Sequence, residues 1–448
     1  MRRRQFLAAT AGVGLHPVAV ASPRTQSTSF APLGTLDVEG IAEAVVGDDD
    51  STVYAAVSDG FATLDISDPT APTVLAERRD VLADRANGPL RQIWDVKVEG
   101  DRLLVVGPAN GTGGDQLRAA VVYDVSDPAA PEMLGVHETE YPIHNSDLRD
   151  GVAYLTAIGT DGAELATVSA GSDPERLGGW SLTDRDERWA DVSFALANLH
   201  DVYVQDDRAY LAFWDAGTWI LDVEDPANPT FVSRVRGRSV EKLRQFGPNG
   251  ARSDGLRLPG NDHYVAVDDS GDLLGIGVEA WFESGPGGIE LYDVSDEANP
   301  EHRARIDPPP IPDGATADYS GEDSVWTTAH NFELDGDRLY TSWYQGGVKV
   351  FDVSDPANPT EIAAWRDTDD ACFWTARTAG DVVVASSSSQ PPNLDIEERL
   401  YTFPDPGSEV TTPTSERPTT TDASGPGFGV LAGLAGIGVG AWRYGRDR

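Results

Sequence analysis

Four of the seven histidines stand at one recurring place: His144, His200, His263 and His330 each open a segment of alternating apolar and polar residues. Trp94 and Trp374 hold that place in two further copies. Imidazole suits zinc, copper, iron and nickel, so four converging rings would make a site for one transition metal ion. Asn145, Asp201, Asp262 and Asn331 beside them would then orient the rings. The competing reading is plainer: repeats copy residues, and a histidine at the head of a strand hydrogen-bonds its neighbour. No nucleophile elbow, phosphate-binding loop or dinucleotide fingerprint accompanies the histidines. The single cysteine, Cys372, allows neither an internal disulfide nor a cysteine-based metal site.

Aromatic and basic residues gather in the long segments between copies. Trp94, Trp281, Trp326 and Trp374 are the foremost candidates to stack a ligand's sugar ring or apolar group, with Trp180, Trp189, Phe282 and Tyr319 behind them. Packing between sheets competes with that role. Arg238, Lys242, Arg244, Arg252 and Arg257 form a basic island, and Arg244 and Arg252 are the candidate contacts for an acidic ligand. Pairing with nearby aspartates is the alternative.

A repeat positions all of these residues. Leu64-Asp65-Ile66-Ser67-Asp68-Pro69 returns at 123–128, 221–226, 292–296 and 351–356, usually with a second proline three residues on. Degenerate copies at 165–169 and 400–403 bring the count to seven. Upstream of each copy, alternating residues flank Gly-Asp or Asp-Asp pairs, which predicts hairpins of two strands. Each unit therefore reads as four antiparallel strands, here a to d. Seven such units predict an all-β, seven-bladed β-propeller over residues 31–404. The last copy lacks a d strand, and Pro32-Leu33-Gly34-Thr35-Leu36 resembles the d strand at 131–135. The N-terminal segment is therefore expected to close the last blade. The a–b turns are expected to hold two or three residues. The Asp-Pro turns read as side-chain-to-amide turns rather than calcium sites. The long connections are 181–197, 236–260 and 307–327 between blades and 108–118, 279–288 and 386–397 between strands b and c. In antiparallel blades all of these leave from one face, where loops carry function.

The repeat resembles the LVIVD-repeat family, whose units end in an apolar-Asp-apolar-Ser-Asp/Asn-Pro signature. Four-histidine iron on a seven-bladed propeller is also the arrangement of carotenoid-cleaving oxygenases, an architectural likeness alone.

The chain carries 74 acidic against 34 basic side chains, a net charge of −40, and only three lysines. Carboxylates stay hydrated in molar salt, where repulsion is screened within about 3 Å, so a halophilic, archaeal source is expected. Such a surface excludes nucleic acid as a partner. Residues 1–21 hold Arg3-Arg4, a short apolar stretch and Ala19-Val20-Ala21, which resembles a Tat signal peptide and implies the Tat export machinery as a partner. Residues 405–425 read as a Thr/Pro-rich stalk. Residues 426–448 hold Pro426-Gly427-Phe428, an apolar run to Trp442 and a basic end, resembling the PGF-CTERM sorting signal. That resemblance implies an archaeosortase-like processing enzyme and attachment to the membrane by the C-terminal segment or a lipid; a plain transmembrane anchor is the alternative. Asn110 heads one N-glycosylation sequon. The expected protein is a cell-surface binding module with an unknown ligand. The alternatives are a metal-dependent oxidoreductase or hydrolase built on the four histidines, and a structural envelope protein.

Overall fold

A computed structural model describes residues 30–111, 115–159, 162–321, 323–390 and 396–407. The expected export and sorting motifs, Arg3, Arg4, Pro426, Gly427 and Phe428, lie outside these residues. No helix among the described residues is long and apolar enough to cross a membrane.

Seven four-stranded antiparallel sheets form the described body. Their first strands are Ile41–Val46, Asp95–Glu99, Ile143–Arg149, Asp201–Gln205, Asp262–Val267, Phe332–Asp335 and Phe373–Ala379. Each of these inner strands packs against the inner strands of the blades before and after it, around a closed ring. The seventh blade has the order that the sequence predicts. Gly34–Asp37 lies outside Arg399–Pro404, which pairs with Val382–Ser387 and then Phe373–Ala379. Thr35 sits opposite Tyr401 and Leu36 opposite Leu400. One strand from each end of the described body thus zips the ring shut, and the outer edge of Arg399–Pro404 is paired.

Blades stack because both faces of each sheet are apolar and a lone blade would leave them wet. Strand Thr52–Val57 is buried along its whole length, and so are Leu273–Val278 and Val382–Ser387. The Asp-Pro turns then lock neighbouring blades. Asp65 accepts the Ser67 amide at 2.8 Å and Asp68 accepts the Thr70 amide at 3.0 Å, as side-chain-capped turns do. The turn's proline carbonyl faces the preceding blade, where a strand-c threonine donates to it. Thr63 reaches Pro128 O at 2.6 Å, Thr167 reaches Pro226 O at 2.6 Å, and Thr402 reaches Pro69 O at 2.5 Å.

The approach of each turn sets a size limit on the blade it meets. Opposite that strand-c position, strand d carries a small residue in every blade: Gly34, Ala76, Gly135, Gly178, Ser233, Ala304 and Ala363. A Cβ at Gly34 would lie 2.5 Å from Pro69 O, one at Gly135 2.4 Å from Gly171 O, and one at Gly178 2.2 Å from Ala227 O.

Two of the a–b turns are longer than expected: 47–51 in blade 1 and 268–272 in blade 5. An aspartate side chain closes each one. Asp49 accepts the Ser51 and Thr52 amides at 2.9 and 2.8 Å, and Asp268 accepts those of Asp272 and Leu273 at 3.0 and 2.9 Å. A carboxylate that bonds amides ahead of it substitutes for the tight glycine turn.

Gly178→Val should force the blade 4 turn away from blade 3. The expected loss is about 1–3 kcal/mol, read as a lower midpoint in chemical denaturation with the β-rich circular dichroism spectrum retained.

Candidate functional site

The inner strands begin at the face where the long connections emerge, and their first residues meet around the axis. Six rings form a closed circuit there. Centroid separations run 6.0 Å from Trp94 to His144, 4.2 Å to His200, 3.7 Å to His263, 5.1 Å to His330, 4.4 Å to Trp374 and 5.8 Å back to Trp94. The four histidines and two tryptophans that share a sequence position therefore share a place in space. His200, His263, His330 and Trp374 are all buried.

Neighbouring blades fix the tautomers. His144 Nδ1 lies 3.0 Å from Ala109 O, His200 Nδ1 2.9 Å from His263 O, and His330 Nδ1 2.5 Å from Trp374 O. A carbonyl only accepts, so each Nδ1 carries the hydrogen and each Nε2 of the neutral ring keeps a lone pair. Burial, with the nearby His263, pushes His144 down to about 4 and His330 down to about 3, and His200 well below its ordinary value. Neutral imidazoles packed against one another at a tilt, at the channel mouth, are the result.

Glu279, next to strand Leu273–Val278, joins this ring. Its Oε2 is 2.7 Å from His263 Nδ1 and its Oε1 accepts from the Tyr344 hydroxyl at 2.6 Å. One ligand atom each from His263, Glu279 and His330 lie within 4.8 Å of one another. The sequence reading missed Glu279 and Tyr344. The available signal was one acid ending an otherwise apolar run, Ile276-Gly277-Val278-Glu279-Ala280-Trp281.

Below the aromatic layer the channel wall is charged. Arg377 pairs with Glu43 at 2.7 Å and donates to Tyr264 Oη at 2.8 Å, two blades away. Lys97 pairs with Asp95. Acidic side chains on one inner strand accept amides of the next: Asp95 from Ser146 at 2.8 Å, Asp147 from Val204 at 2.5 Å, Asp201 from Val265 at 2.9 Å and Glu333 from Thr378 at 2.7 Å. Asp201 and Asp262, expected beside the imidazoles, serve the backbone and a neighbouring strand instead; Asp262 accepts from Thr218 at 2.7 Å and pairs with Arg236 at 2.9 Å.

The remaining candidates divide. Trp281 and Trp326 are buried, 5.2 Å apart, in a core cluster with Tyr344 and Trp374. Trp180 and Trp189 are buried against Trp219. Among the described residues, the most exposed aromatic rings at this face are Phe194, 46% exposed, and Tyr319, 38% exposed. Each leads inward: Tyr319 contacts Trp326, then Tyr344, then His330, while Phe194 contacts Trp214, then His200. Of the basic island, Arg244 is exposed and pairs with Asp191 at 2.6 Å, Arg238 with Asp215 at 3.1 Å, and Arg257 with Glu283 at 3.1 Å. The Arg252 side chain lies outside the described residues. Asn110 is exposed, and its sequon runs into undescribed residues.

Fold and turn chemistry together define a seven-bladed β-propeller, part of which carries LVIVD repeats. The LVIVD repeat model matches residues 52–78, 198–236 and 328–366, in blades 1, 4 and 6. Among solved structures, the Myceliophteria thermophila Cps50 (Swd1) β-propeller domain is 8% identical, with 84% of this chain and 99% of that one covered at a TM-score of 0.56. The WD40 β-propeller domain of Doa1 is 11% identical, covering 84% and 97% at 0.51. At these identities the likeness is one of fold. No curated protein matches the sequence.

The His144 ring gives a pH dependence of definite sign. Its ordinary value is 6.5 and its folded value about 4, so unfolding takes up a proton between those limits. Stability carried by the neutral ring is complete above pH 6.5 and lost as pH falls toward 4. In His144→Phe, which keeps a ring beside Trp94, the loss between neutral pH and about pH 5 should shrink by about 1–2 kcal/mol, measured by urea unfolding at each pH.

Proposed function

We propose that the protein is an exported, cell-surface recognition module that binds its ligand on the face from which the long connections emerge. One observation carries the reading. Every long connection leaves from that face, and Phe194 and Tyr319 stand exposed there at the ends of two aromatic chains that lead to the channel mouth. Large exposed aromatics anchored on a rigid base are good binding contacts because little freedom is lost on binding.

The ligand that this face favours is a neutral glycan. Aromatic faces stack on sugar rings, and three arginines of the basic island already pair with carboxylates of the protein. A glycan array followed by titration calorimetry tests the reading. Phe194→Ala and Tyr319→Ala should each weaken binding roughly tenfold, about 1.4 kcal/mol. Binding at full strength in the double variant would remove the face from consideration.

The surface location rests on the two ends of the sequence. A twin-arginine leader exports proteins already folded, which suits a ring whose closure needs both ends of its body. The C-terminal apolar run with its basic end would hold the propeller outside the membrane, through the processing enzyme and lipid that the PGF-CTERM resemblance implies. Arg3→Lys with Arg4→Lys is expected to leave the protein in the cytoplasmic fraction; unchanged surface exposure to added protease would refute Tat export.

A further inference from the structure

We propose that His263, Glu279 and His330 form a binding site for one divalent transition metal ion of the zinc or ferrous class at the seam between blades 5 and 6. Two imidazoles and one carboxylate are a donor set that both ions accept, with at least one coordination position left for water or an incoming ligand. The site does not depend on the rim-binding reading and stands or falls separately.

Each donor is prepared for the role. His330 gives its Nδ1 hydrogen to Trp374 O, so Nε2 is its free donor. Glu279 receives the Tyr344 hydroxyl on Oε1, which leaves Oε2 free of that bond and turned toward His263. Neither buried ring nitrogen of His263 has a hydrogen-bond partner, although Nδ1 is only 2.7 Å from Glu279 Oε2. Without an ion, this buried imidazole is left with unmet polar atoms, an unfavourable state.

The distances fit with small adjustments. The donor atoms lie within 4.8 Å of one another, and tetrahedral coordination with bonds of about 2.1 Å places donors about 3.4 Å apart. Coordination therefore asks the donor side chains to shift as the ion binds. Tyr344 and the Trp374 carbonyl then play the orienting part that outer partners play in metal sites. His144 and His200, though in the same ring, are not among the residues whose ligand atoms come within 4.8 Å of one another and stay outside the donor set.

The test uses the full chain, stripped with a chelator in the salt that keeps it folded and then titrated with Zn²⁺, with Co²⁺ as the optical probe. One equivalent of Zn²⁺ should remain after gel filtration, and Co²⁺ should give the visible bands of a low-coordinate nitrogen and oxygen site. Glu279→Gln should abolish both signals. Tyr344→Phe, which keeps the ring that packs on His330, should weaken Zn²⁺ binding about 10–100-fold. His302→Gln removes an exposed imidazole that contacts Glu290 on an outer strand, and should leave the stoichiometry at one. Folded protein that retains well under one equivalent overturns the proposal, and so does Glu279→Gln or Tyr344→Phe protein that binds Zn²⁺ as tightly as the parent. Loss of the equivalent in His302→Gln would place the metal on the outer surface instead.

Discussion

The inner strand of each blade is a sheet edge that faces the axis, and its outward amides have no further strand to pair with. Everything near the channel follows from how that edge is satisfied. The chain places an acidic side chain on one inner strand so that it accepts an amide from the next, as Asp95, Asp147, Asp201 and Glu333 do. The device holds neighbouring blades together and fills the channel with carboxyl groups. Five of them, including Glu43, share the cations Lys97, Arg149 and Arg377. Burial resolves the excess by favouring the protonated form: Asp95 is pushed up to about 6, Asp201 well above its ordinary value, and Asp147 and Glu333 upward. Glu43 alone moves down, because Arg377 and Lys97 outweigh its burial.

The outer part of each blade obeys a steric constraint. The Asp-Pro turn of one blade leans on strand d of the blade before it, and the close approach leaves room for nothing larger than glycine, alanine or serine. This couples turn and strand in every repeat, so neither can vary alone. Variation is displaced to the opposite end of the blade, where the b–c and d–a connections emerge and where no neighbour's turn has to dock. The division between a trimmed face and a decorated one is thus a packing consequence, and the proposed binding lies on the face that packing leaves free.

The fold was legible because a propeller writes its architecture as repetition. The Asp-Pro turn marked strand c, the Gly-Asp pairs marked the a–b hairpins, and the missing last strand pointed to Gly34–Asp37. The small residue of strand d was equally visible, four positions past the second proline in Ala76, Gly135, Ser233, Ala304 and Ala363, but its meaning lies in a contact between blades. The site was legible in part. Equivalent positions in a ring must converge, so the shared histidine position was informative. Side-chain direction was not, because it depends on strand twist and on carbonyls supplied by other blades. For the same reason Trp281 and Trp326 read as ligand platforms although they pack inward: composition marks a loop as aromatic without saying which rings the core takes.

The channel mouth and the ring closure are one problem. His330 is oriented by the carbonyl of Trp374, which belongs to the blade completed by Gly34–Asp37, and His200 by the carbonyl of His263 in the next blade. For His144, His200 and His330 the carbonyl that sets the tautomer comes from another blade. Displacing the closing strand would therefore act first on blade 7 and then, through Trp374, on the lone pair that His330 presents beside Glu279. Chemistry at the axis is available only to the closed ring, which gives a physical reason for this repeat to fold around a complete circle rather than as an open stack.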